Sequence, residues 1–178
     1  MLWLNGPFGV GKTSVALKLR ARLPHSFILD PEELGFALRK LTPPQKQLED
    51  FQDYPLWREM VLKTLLHAYE PDTTLIVSMT LVDPGYFEEV VSGLRAEGLP
   101  MNHVVLTASK ETILQRLESR GHDRRSWPAE QLERCLAGLE LLPHTERLNT
   151  EGLAVSEVAK RVAARFDLEV KKDFERPF

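Results

Sequence analysis

Eight residues near the start of the chain, Gly6-Pro7-Phe8-Gly9-Val10-Gly11-Lys12-Thr13, follow the pattern G-x-x-x-x-G-K-[ST]. Glycines at positions 6, 9 and 11 let the backbone turn its N–H groups inward around an anion. A helix opening near Lys12 adds the positive end of its dipole. The Lys12 ammonium suits the β- and γ-phosphates of a nucleotide, and the Thr13 hydroxyl suits Mg²⁺. The expected nucleotide-binding residues are therefore Gly6, Pro7, Phe8, Gly9, Val10, Gly11, Lys12, Thr13 and Ser14, with ATP and Mg²⁺ as the cofactors and Thr13 as the metal ligand. An ordinary glycine-rich turn would leave the lysine unexplained.

The loop does not choose a reaction, so other residues must. The guanine-reading N-K-x-D is absent, and the most strand-like run, Thr73 to Thr80, has no acid at its end before Asp83. A motor ATPase would need an Asp-Glu there. Asp30 stands at the expected carboxyl end of the second strand, where a carboxylate can accept a hydroxyl proton, orient the acceptor or hold the metal shell. It also reads as the cap of the next helix. Asp83 competes with it, and Ser78 and Thr80 are weaker ligands for Mg²⁺ or substrate. Arg116 and Arg120 share a helix face with no acid three or four residues from Arg116, and Arg124 and Arg125 follow. Guanidinium forks on a lid near 120–128 would neutralise a transferring phosphoryl group and exclude water. Solvation or pairing with distant carboxylates is the alternative. Lys12, Asp30, Arg116, Arg120 and Arg124 are thus the candidate catalytic residues. Arg39 either meets an acceptor or faces solvent, and His122 falls in the lid. Phe51, Tyr54 and Trp57 stand at three-residue steps, a core stripe or a heterocycle pocket. No H-E-x-x-H pair suggests zinc.

The elements that must position these groups alternate. Strands are expected at Leu2–Asn5, Phe27–Asp30, Thr73–Thr80, His103–Thr107 and, weakly, Glu146–Asn149. Helices are expected from Lys12 to Leu23, Pro31 to Leu41, Gln45 to Tyr69 with a break near Pro55, and Asp83 to Glu97. Three more are expected from Ser109 to Gly121, Pro128 to Leu142 and Ser156 to Phe166. This is an α/β pattern, a five-stranded parallel sheet with helices on both faces whose ligands bind at the carboxyl ends of the strands. Residues 1–167 form one domain and 168–178 a charged tail. With 178 residues, 43% of them hydrophobic, one domain fills the chain. A formal charge of -3 argues against binding nucleic acid, and no run reaches the ~20 apolar residues of a membrane span. Cys135, a lone cysteine, cannot form an internal disulfide. With no basic, apolar leader at Met1, the expected setting is the cytoplasm. The oligomeric state is open.

The blocks G-x-F-G-x-G-K-T, D-P-E-x-x-G-F-A-L-R (Asp30 to Arg39), D-F-Q-D-Y-P-L-W-R (Asp50 to Arg58) and A-S-K-E-T (Ala108 to Thr112) occur in this order. With them the chain closely resembles the bacterial tunicamycin resistance proteins, from residue 1 to about 166. The resemblance implies a nucleotide-kinase-like fold of the P-loop NTPase class, ATP bound at Gly6 to Thr13, and protection against tunicamycin, a nucleoside antibiotic containing uracil and N-acetylglucosamine. Two functions are consistent with it. One is a small-molecule phosphotransferase, a kinase that phosphorylates the antibiotic or a related uridine-sugar compound. The other is a non-enzymatic, ATP-dependent binder that sequesters the drug.

Overall fold

The computed structural model describes residues 1–142 and 146–171. Five parallel strands, β1 (Leu2–Asn5), β2 (Ser26–Leu29), β3 (Thr74–Ser78), β4 (Asn102–Thr107) and β5 (Glu146–Asn149), form one sheet in the order β2-β3-β1-β4-β5. The helices are α1 (Lys12–Arg20), α2 (Glu32–Leu41), α3 (Pro55–Ala68), α4 (Pro84–Ala96), α5 (Lys110–Glu118), α6 (Trp127–Glu130), α7 (Leu132–Glu140) and α8 (Val155–Arg165).

Side chains alternate along a strand, so each strand feeds two cores. Leu2, Leu4, Ile76, Val104 and Leu106 pack on one face against Val15 and Leu19 of α1 and Val158 and Val162 of α8. Trp3, Leu75, Val77 and Val105 pack on the other against Trp57, Val61 and Leu65 of α3, Phe87 and Val90 of α4, and Leu139 of α7. The continuous apolar run of β3 has this two-sided burial as its cause. β1 ends between β3 and β4, so the loop that leaves it opens at the carboxyl edge of the sheet, where such sheets bind ligands.

Three expectations differ from the structure. Residues 45–54 are not helical: short 3₁₀ turns at Pro44–Lys46 and Phe51–Asp53 are joined by extended chain. The Asp50 side chain accepts the Gln52 N–H at 3.0 Å, and Pro55 holds Tyr54 extended, so a helix forms only from Pro55 onward. β3 stops at Ser78 rather than Thr80, because Leu81 is drawn off onto the side chain of Asn5. The expected helix from Pro128 to Leu142 is two helices, α6 and α7, meeting at Gln131. Of the expected tail, residues 172–178 lie outside the described residues, and Leu168 packs beside the α1–α8 core.

Candidate active site

The loop after β1 is built from both ends. Asn5 is fully buried; its Oδ1 accepts the Gly6 N–H (2.8 Å) and the Leu81 N–H (3.0 Å), and its Nδ2 donates to the Leu81 carbonyl (2.8 Å). The Thr80 hydroxyl donates to the Gly6 carbonyl at 3.0 Å. At the other end, the Lys12 ammonium donates to the carbonyls of Gly6 (3.0 Å) and Pro7 (3.1 Å), which bends the chain around the space an anion would occupy. Gly6, at φ 141°, shows why glycine is required: a Cβ there would lie 2.6 Å from the Leu106 carbonyl oxygen. A Cβ at Gly9, φ 83°, would meet the Leu117 side chain of α5 at 2.8 Å.

A cavity of about 160 Å³ opens over this loop, lined by Phe8, Gly9, Gly11, Lys12, Thr13, Asp30, Glu32, Ser78, Arg120 and His122. Burial lowers the Lys12 pKa to about 8, opposed by the nearby charges of Glu32, Cys135 and Asp30 and reinforced by that of Arg120. Asp30 and Glu32 are both held above the usual carboxylate range, again chiefly by burial. Asp30 does cap α2, its Oδ1 accepting the Glu32 N–H at 3.0 Å, and it faces the cavity as well. The two readings of that residue coexist.

The arginines separate. Arg120 lines the cavity. Arg116 turns instead to Val10 and Thr150, its Nη1 donating to the Val10 carbonyl (3.1 Å) and the Thr150 hydroxyl (3.0 Å) and its Nη2 to the Thr150 carbonyl (3.0 Å). It clamps the phosphate loop to the segment after β5, so the repulsion with Arg120 is offset by groups distant in sequence. Arg124, exposed, pairs with Glu118 at 2.8 Å and does not line the cavity. Arg39 donates to the Glu49 carbonyl, Asp83 caps α4 through the Tyr86 N–H, and Thr80 is buried beneath the loop; of the weaker candidates on β3, only Ser78 faces the cavity. Trp57 and Phe51 belong to the core, with the Trp57 indole donating to the Pro31 carbonyl at 3.1 Å. They are not a stacking platform. Asn5 belongs to none of the quoted motifs, and Glu32, although it is the third residue of the D-P-E block, is marked as a site residue only once α2 turns that position toward the cavity.

A second cavity lies on the far side of the loop, lined by Val10, Ser14, Arg116, Arg120, Thr150 and Leu153 among others. Apolar walls beside guanidinium planes suit a flat heterocycle attached to the phosphates. Among the described residues, no three His, Cys, Asp or Glu side chains gather as a metal site. Thr13, exposed and lining the main cavity together with Ser78, fits a Mg²⁺ held mainly by a nucleotide's own phosphates, which needs few protein ligands. No helix among the described residues is long and apolar enough to cross a membrane.

Residues 1–142 match the model of the AAA domain family. No curated protein matches the chain. Among solved structures, the tunicamycin resistance protein of Deinococcus radiodurans is 37% identical, with a TM-score of 0.79 over 95% of this chain and 96% of that one. A gluconokinase from Sinorhizobium meliloti 1021 superposes with a TM-score of 0.66 at 19% identity, covering 92% of this chain and 89% of that one. A shikimate kinase from Acinetobacter baumannii, solved with shikimate, does so at 0.60 and 19%, covering 93% and 91%. The last two establish that the fold is that of P-loop kinases. With its phosphate loop, its sheet order and this sequence identity, the chain belongs to the tunicamycin resistance protein family of P-loop, kinase-like AAA domains.

Proposed function

We propose that the protein is an ATP-dependent phosphotransferase that acts on a hydroxyl of tunicamycin or a related uridine-sugar compound, in the cytoplasm where ATP is supplied. The observation that carries this reading is the composition of one cavity, which brings Lys12, Thr13 and Arg120 together with two carboxylates, Asp30 and Glu32. Cations and a hydroxyl bind and neutralise a triphosphate, while carboxylates orient an alcohol and receive its proton. The relative named for tunicamycin resistance supports that antibiotic as the small molecule involved.

In this mechanism the N–H groups of Gly9, Gly11, Lys12 and Thr13 enclose the phosphates and Lys12 neutralises the β- and γ-groups. Thr13 would hold Mg²⁺, which when bound adds positive charge against the phosphates. Asp30, fixed by its bond to the start of α2, orients the acceptor, and Arg120 adds charge from the lid side. Arg116 acts indirectly by holding the loop to the segment that walls the second cavity, where the nucleotide base would lie. A new phosphate adds roughly two negative charges to the drug, which opposes its fit to any site shaped for the unmodified compound. Mass spectrometry of tunicamycin incubated with the protein and Mg·ATP should show the gain of one phosphate, with matching release of ADP; an unchanged drug after many equivalents refutes the reading.

A non-enzymatic binder is the second reading, favoured by the end of β3 at Ser78 without a carboxylate. It requires a stoichiometric drug complex and no drug-dependent ADP.

A further inference from the structure

We propose that Glu32, rather than Asp30, takes the proton from the acceptor hydroxyl. The assignment rests on the phosphotransferase reading and divides two carboxylates that stand two residues apart at the start of α2.

Both line the cavity, yet they are held differently. Asp30 has one oxygen committed to the Glu32 N–H, and that bond satisfies a donor at the open end of a helix. Protonating Asp30 during turnover would weaken the cap. Glu32 carries no such duty. It lines the cavity beside Lys12 and Thr13 without being tied into the start of the helix. Glu32 shares the cavity with the Lys12 ammonium, whose charge it helps to sustain against burial. Of the two carboxylates in the cavity that holds this ammonium, Glu32 is the one without a helix cap to keep, and so the one free to take the proton. β3 ends at Ser78 and contributes no acid that could substitute. Burial holds the Glu32 carboxyl above its ordinary range, which makes it a better proton acceptor than an exposed glutamate.

The step balances as follows. The acceptor oxygen forms a bond to the γ-phosphorus while the bond from that phosphorus to the β-phosphate's bridging oxygen breaks, and ADP leaves with the bonding electron pair. The hydroxyl proton passes to the Glu32 carboxylate and reaches solvent once the products depart.

The test compares Glu32→Gln, Glu32→Asp and Asp30→Asn with the wild type, using tunicamycin as acceptor and calorimetry with Mg·ATP and with metal-free ATP. Glu32→Gln should lower kcat about 10²- to 10⁴-fold, the range for loss of a general base, and change Mg·ATP affinity by no more than about threefold. Glu32→Asp should recover part of kcat, and Asp30→Asn should act more on the acceptor KM. A Glu32→Gln protein with near wild-type kcat overturns the assignment alone. So does one whose affinity falls for Mg·ATP but not for metal-free ATP, which would make Glu32 part of the metal shell. A wild type that transfers no phosphate overturns the phosphotransferase reading, and this assignment with it.

Discussion

The buried Lys12 makes nucleotide binding depend on pH in a calculable way. Its pKa falls from 10.5 to about 8 because the ammonium is removed from water. At about 1.4 kcal/mol per pH unit, that shift amounts to roughly 3 kcal/mol of differential stabilisation between its two protonation states. A triphosphate favours the charged form. In the free protein that form dominates below pH 8 and is lost above it, so ATP affinity is level up to about pH 8. It then falls about tenfold per pH unit until the pKa of the complex is reached. Calorimetric titration with Mg·ATP from pH 7 to 9.5 measures this directly. Lys12→Arg, which stays charged throughout, should bind more weakly but without the slope, and Glu32→Gln should move its onset to lower pH by removing the largest charge that opposes the shift. An affinity that stays constant from pH 7 to 9.5 would refute the claim that Lys12 is both desolvated and the phosphate-binding cation. The sign of the stability effect is separate. The unfolded chain keeps the lysine proton up to about 10.5, so Lys12 makes the free fold more stable as pH rises from about 8 to 10.5. Cys135, raised to about 11 by burial from 9.0, contributes the opposite trend between those values.

Other perturbations read other parts of the design. Lys12→Ala should abolish measurable ATP binding with the melting transition retained. Asn5→Ala strands the Gly6 N–H and both polar groups of Leu81 in a buried place, so chemical denaturation should show a loss of about 2–4 kcal/mol. Gly35→Ala puts a Cβ 2.4 Å from the Phe51 ring, and overpacking of that kind costs about 1–3 kcal/mol, read as a lower melting midpoint. Arg120→Ala should weaken Mg·ATP by roughly tenfold, whereas Arg124→Ala, whose exposed pair with Glu118 contributes about 0–1 kcal/mol, should leave affinity and stability nearly unchanged.

The exposed pairs and the site arginines illustrate why local spacing misjudged the basic cluster. On a helix surface only positions three and four apart meet, and by that rule Arg116 has no partner. Its partners are Val10 and Thr150, which are 106 and 34 residues away and reach it only because β1 and β4 are neighbours and β5 follows β4 in the sheet. Arg124 finds Glu118 six residues back, since the chain turns between them.

What the sequence determined by itself is whatever local chemistry dictates. The glycines, Lys12 and Thr13 specify an anion loop because the backbone conformation and the groups it needs lie within eight residues. The strand runs and helix caps, Asp30, Asp83 and Ser109 among them, follow from periodicity and from side chains that bond their own backbone. Tertiary structure decided which of the distant polar groups face one cavity. Arg120 entered it and Arg124 did not; Glu32 joined Asp30; Phe51 and Trp57 went to the core; and Asn5 became the tie beneath the loop. Each outcome depends on strand order and helix packing, which arise from burying both faces of the sheet at once and leave no signature at the residue's own position.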